Sequence, residues 1–235
     1  MKHDSRIACL FEDHLYKLLR QESRQAETGM AASDLVLWAV DTQADFMFPG
    51  GKLYVPGAEK LLPNIQKLTD TAREGRVFMV SHGCYHPEND PEFQVFPPHC
   101  IQGTAGSDFV SHAMTEKVAR VPNDPACALP DDLFSYQQVL LEKQTLDIFE
   151  TRHAASLLHR LPADAEFVVF GVVTEYCVRF AAKGLLERNR RVAVVSDAIE
   201  TLNLEQGRRT IAELQERGAR LITTQQALSQ LVTTA

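Results

Sequence analysis

Three residues of this sequence stand at or just after short apolar runs and carry side chains that can move protons or form bonds. Asp41 closes LVLWAVD, Lys143 closes VLLEK, and Cys177 follows EFVVFG within GVVTEYCV. A carboxylate can take a thiol proton, an ammonium can hold the resulting charges together, and a thiol can attack a carbonyl carbon. Together they make a workable acyl-transfer site. Cys177 is expected three residues into a helix capped by Thr174, where unpaired N–H groups and the positive dipole end favour the thiolate. Each residue also has a plainer use: a buried cysteine packs as a small hydrophobe, a lysine faces solvent, and an aspartate caps a turn or pairs structurally.

These residues need elements to hold them. Six apolar runs without alternation recur at 35–40, 76–81, 137–142, 166–171, 191–196 and 220–223, the pattern of strands buried on both faces. Helical patterns lie between several of them: Leu61, Ile65, Leu68 and Ala72 share one face, as do Cys177, Ala181, Gly184 and Leu185. The alternation predicts a three-layer α/β/α domain over residues 34–235 around a mostly parallel, six-stranded sheet. In such a sheet the ligand crevice opens beyond the carboxyl ends of the strands. The polar residues at those ends are Asp41, Asp45, His82, Cys84, His86, Glu142, Lys143, Thr174, Glu175, Cys177 and Asp197. The Pro-rich stretch 87–98, between the second strand and its expected helix, is too long for a routine connection, which marks it as functional. Residues 1–33 stand apart: Ile7, Phe11, Leu15 and Leu18 form one apolar stripe, predicting a helical extension that docks on its own domain or on a neighbouring subunit.

With 235 residues, 45% hydrophobic and 23% charged, the chain suits one sizeable globular domain. Its 24 basic and 31 acidic residues give a net charge of −7, which repels phosphate backbones and anionic lipid surfaces. No nucleic-acid or membrane partner is expected. The N-terminus interrupts its apolar residues with charge, unlike a secretory leader, and the five widely spaced cysteines lack CxxC pairs. A cytoplasmic protein with reduced thiols follows as the expectation.

The segments VDTQADFMFPGGKLYVPGAEKLLPNI, FPPHCIQGTAG, VLLEK and GVVTEYCVRFAAKGLLE together resemble the isochorismatase-like cysteine hydrolases, and within them the nicotinamidase (pyrazinamidase) group. The likeness spans residues 35–230 in order. It implies a triad of Asp41, Lys143 and Cys177, a cis peptide at Val172–Val173, and an oxyanion hole formed by the backbone N–H groups of Val173 and Cys177. It also implies Phe46 and Phe96 as packing surfaces for a flat heteroaromatic amide.

The group carries a metal-binding stretch, D-W-H-P-x-x-H-x-S-F followed by W-P-x-H-C. Here the chain reads CYHPENDPEF and FPPHC. His86 and His99 match ligands, while Cys84 replaces an aspartate and Asp90 a histidine. A thiolate, two imidazoles and a carboxylate suit a tetrahedral divalent metal, with sulfur shifting the preference toward zinc. His82, after the second run and just ahead of this stretch, is a further candidate participant. The stretch KQTLDIF after Lys143 is shorter than in the group.

The resemblance implies hydrolysis of nicotinamide to nicotinate and ammonia through a Cys177 thioester, by a homo-oligomer acting on a small-molecule amide. The alternatives are another cysteine amidohydrolase acting on a maleamate, N-carbamoyl or ureido substrate, and, from a different class, a non-catalytic zinc-bearing oligomeric interaction module.

Overall fold

The computed structural model describes residues 35–233. The expected extension over 1–33 lies outside them. Seven strands form one sheet: β1 (Leu35–Val40), β2 (Phe78–Cys84), β3 (Val118–Val121), β4 (Gln138–Lys143), β5 (Glu166–Gly171), β6 (Arg191–Ile199) and β7 (Arg220–Ile222). Their order is β3-β4-β2-β1-β5-β6-β7, and every pairing is parallel. The expected six strands become seven because β3 was missed. That edge strand has only four residues, and its burial alternates, with Arg120 exposed, so it lacks the apolar continuity of a strand covered on both faces.

Residues of β1 point alternately to the two faces. Leu35, Leu37 and Ala39 pack with Ile65, Leu68 and Ala72 of α2 (Leu62–Arg73) and Ala227 and Leu231 of α6 (Thr224–Thr233). Val36, Trp38 and Val40 join the opposite core with Leu157 of α3 (Arg152–Arg160), Ala181 and Leu185 of α4 (Arg179–Glu187) and Leu214 of α5 (Leu204–Glu216). The result is the expected three-layer α/β/α arrangement. A short α1 (Ala44–Met47) follows β1. Contrary to expectation, no helix of the α type follows β2. Residues 85–117 instead carry three short 3-10 turns, at Pro91–Gln94, Ala105–Ser107 and Ser111–Ala113.

From β1 the chain moves to one side of the sheet through β2, β3 and β4, then returns to β5 on the other side of β1. That reversal beside β1 opens a crevice at the carboxyl ends. Gly171 closes it tightly: its φ is +120°, and a Cβ there would sit 2.0 Å from the Val40 carbonyl oxygen.

Candidate active site

Asp41 leaves β1 in a left-handed conformation, φ 49°, with its amide bonded to the His82 carbonyl oxygen at 2.9 Å. This turn aims the carboxylate inward, where Oδ2 lies 3.0 Å from Lys143 Nζ. Lys143 ends β4 fully buried. Its register partner on β2 is Cys84, and Nζ donates to Cys84 Sγ at 3.0 Å and to Cys177 Sγ at 3.5 Å. One ammonium therefore touches a carboxylate and two sulfurs.

Cys177 sits in the wide turn Thr174–Val178 ahead of α4, in which the Val178 amide reaches back to the Val173 oxygen and Tyr176 departs from helical dihedrals. Thr174 does not cap the helix. Its hydroxyl donates instead to the Glu200 oxygen at 2.7 Å. The Val172–Val173 bond is cis.

Burial pushes the Asp41 carboxyl up, but the Lys143 ammonium and His82 outweigh it and hold the group at about 2. Burial also opposes the Lys143 charge, and is outweighed in turn by Asp41, Cys177 and Cys84, which raise it well above the ordinary lysine value. For Cys177, burial and then the Asp41 charge drive the thiol well above its usual range, against the pull of Lys143. The structure thus differs from the thiolate expected at a helix end: at rest the trio is carboxylate, ammonium and thiol. His82 is buried with Nδ1 3.6 Å from Asp41 Oδ1, and burial lowers its pKa, favouring the neutral ring.

Beside this trio, ligand atoms of Cys84, His86 and His99 all lie within 4.8 Å of one another, and all three residues are buried. A short parallel bridge from His86 to Ile101 brings the two imidazoles side by side, with ring centroids 4.9 Å apart. His99 Nδ1 must donate to the Pro97 oxygen at 2.8 Å, which leaves the Nε2 lone pair available. His86 Nε2 is buried without a hydrogen-bond partner among the described residues. A soft sulfur and two imidazoles, one of them with an unpartnered nitrogen, fit a divalent metal.

Asp90, expected as a donor, stands outside this set. Its Oδ1 caps the following 3-10 turn by accepting from the Glu92 amide, and its Oδ2 sits 3.0 Å from His86 Nδ1 as a close contact behind the ring. A second carboxylate, Glu92, approaches the other imidazole, with Oε1 3.9 Å from His99 Nε2. Sequence reasoning missed it; the Asp-Pro-Glu capping pattern, which folds position 92 back toward the loop, was the available signal.

Gln43 was also missed. Its side-chain amide accepts from the Cys84 amide at 2.8 Å and donates to the Cys84 oxygen at 2.7 Å, which fixes the backbone of that cysteine.

Phe46 and Phe96 both line the cavity over Cys177, together with Leu146, Tyr176, Leu202 and Glu92. Val173 and Cys84 also border it. The remaining strand-end residues serve the scaffold. Asp45 accepts from the Lys52 and Cys100 amides, Glu142 pairs with Arg120, Glu175 holds the Leu202 and Asn203 amides, and Asp197 accepts from the Thr224 amide and hydroxyl.

The family model described as "Isochorismatase domain" matches residues 35–226. Nicotinamidase of Escherichia coli (strain K12) is 24% identical over 209 residues, covering 80% of this chain and 93% of that protein. Among solved structures, pyrazinamidase of Pyrococcus horikoshii in complex with zinc is 27% identical at a TM-score of 0.64, covering 81% and 99% of the two chains. PnC1 from L. infantum in complex with nicotinate is 26% identical at 0.66, covering 83% and 96%. Among the described residues no helix is long and apolar enough to cross a membrane.

Proposed function

We propose that this chain, which belongs to the isochorismatase family, is a cysteine amidohydrolase whose substrate is nicotinamide. The observation that carries this reading is Lys143 Nζ, set 3.0 Å from Asp41 and 3.5 Å from Cys177. Asp41 takes the Cys177 proton as sulfur attacks the carboxamide carbon. The carbonyl electrons move onto oxygen, which the Val173 and Cys177 amides receive. Lys143 stays cationic and holds the acid and sulfur in one frame. Collapse breaks the C–N bond, and Asp41 returns the proton to the departing nitrogen as ammonia. Asp41 then draws a proton from water, whose oxygen attacks the thioester carbon. The C–S bond breaks, and nicotinate and the Cys177 thiol are released.

Phe46, Phe96 and Tyr176 supply aromatic walls suited to a flat ring. Cys84, His86 and His99 would hold a divalent metal, zinc by the softness of the sulfur, with Glu92 the adjacent carboxylate. When bound, the ion supplies a Lewis acid that can orient a substrate heteroatom. The zinc-complexed and nicotinate-complexed relatives support this assignment.

The test is ammonia release by the full chain from nicotinamide, maleamate, an N-carbamoyl amine and simple aliphatic amides, beside Cys177→Ala. Release from nicotinamide in preference to the others, lost in the variant, is the expected result. Preference for another member of the panel would replace the substrate, and release unaffected by Cys177→Ala would overturn the mechanism.

A further inference from the structure

Cys84 is one of the three candidate metal ligands, and when no ion holds it its free thiol has a second partner. It faces the same ammonium as Cys177, at 3.0 Å and 3.5 Å from Lys143 Nζ, and both cysteines line the same cavity. We infer that Cys84 and Cys177 form an oxidant-reactive dithiol, a modification site at which hydrogen peroxide converts two thiols into a disulfide.

The chemistry balances with one peroxide. The Cys177 sulfur attacks a peroxide oxygen, the O–O bond breaks, and a sulfenic acid forms as the thiol proton leaves with the second oxygen as water. The Cys84 sulfur then attacks the sulfenic sulfur, the S–O bond breaks, and hydroxide takes the Cys84 proton to leave as water. The two sulfurs together lose two electrons, and the peroxide gains them.

Three features favour this pairing. The Lys143 ammonium touches both sulfurs, so it offsets part of the burial and the Asp41 charge that hold them as thiols, and it can relay the Cys84 proton to the departing hydroxide. Asp41 is positioned to take the first thiol proton. A disulfide requires the sulfurs to close to about 2.05 Å, and the two partners differ in how they are held. Gln43 clamps the Cys84 backbone on both sides. Cys177 lies instead in a wide turn outside any strand. Closure is therefore a movement of Cys177 toward a fixed Cys84. The neighbouring Cys100 is the competing partner; its sulfur points at the Gly106 oxygen, 3.8 Å away.

The consequence for turnover rests on the amidohydrolase reading, because the bond consumes the nucleophile. The bond itself does not, and a mass measurement keeps the two apart. Full-length protein is treated with hydrogen peroxide, the remaining thiols are alkylated, and intact mass and peptide maps are read without reductant. The expected product carries two fewer alkyl groups than the untreated control, with the peptide 161–179 joined to 77–117 through Cys84, and dithiothreitol added before alkylation restores the control mass.

Cys100→Ala retains the link and Cys84→Ala loses it; fragmentation of the wild-type linked peptides gives the same answer if the second variant fails to fold. Amide hydrolysis falls at least about tenfold on oxidation and returns on reduction. Oxygen addition at Cys177 with no link, or a link through Cys100, overturns the inference even in an active enzyme. A Cys84–Cys177 link in a protein that hydrolyses no amide keeps the modification site and discards the function.

Discussion

Cys84 and Lys143 are register partners across β2 and β4, and this pairing sets the lysine nitrogen 3.0 Å from the cysteine sulfur. The two strands thereby join the trio of Asp41, Lys143 and Cys177 to the cluster of Cys84, His86 and His99 through adjacent side chains, so a change at one reaches the other.

Lys143→Met illustrates the coupling. It removes the cation that neutralises buried Asp41 and leaves an uncompensated charge, which costs about 3–5 kcal/mol. Urea denaturation should show a midpoint lowered accordingly, and amide hydrolysis should be lost even where the variant remains folded.

Acid should destabilise the fold in a defined window. The Asp41 carboxyl stands at about 2, below its ordinary 3.8, so its contribution is fully present above the ordinary value and is lost as pH falls through the lower one. That contribution is on the order of 2 kcal/mol. Stability of Asp41→Asn measured across the same range should be lower at neutral pH and flatter, and a wild-type-like slope would contradict the assignment.

Metal content follows from the donor set. Elemental analysis of untagged protein should find zinc near one ion per chain, and His99→Ala should lose most of it. Asp90→Ala, which removes the carboxylate behind His86, should weaken zinc binding about 10–100-fold in a chelator competition. Undiminished affinity would place Asp90 outside the support of that ring.

Gln43→Ala tests the clamp on Cys84. It strips partners from a buried amide and a buried carbonyl, at about 1–3 kcal/mol for each group left unsatisfied. Thermal unfolding should begin at lower temperature, and chelator should withdraw zinc faster than from the wild type.

Much of this was legible in the sequence, for reasons that can be located. β1, β2, β4, β5 and β6 announce themselves because interior strands of a parallel sheet are apolar throughout. β3 does not, because Val118–Val121 is short, lies at the edge and exposes Arg120. Asp41, Lys143 and Cys177 were readable from their places at strand ends. The same rule also proposed Asp45 and Asp197, which bind backbone amides instead, since strand-end position reveals location and not direction. The ionisation of Cys177 was misread because the helix end is local, whereas burial and the Asp41 charge arrive from elements distant in sequence. Glu92 escaped notice because its orientation depends on a loop whose path no periodicity reports.

The placement of β1 carries a consequence for how the molecule comes into being. Leu35 pairs with Glu166, and Val40 with Gly171, so the strand leading into Asp41 keeps an open edge until more than a hundred further residues have been synthesised. Contacts that distant close slowly. Until then the nascent chain exposes a sticky hydrogen-bonding border beside Asp41, and arrival of β5 seals that border while bringing Cys177 to Asp41, so that closing the centre of the sheet and assembling the trio are a single event, with β6 and β7 still to be added at the edge.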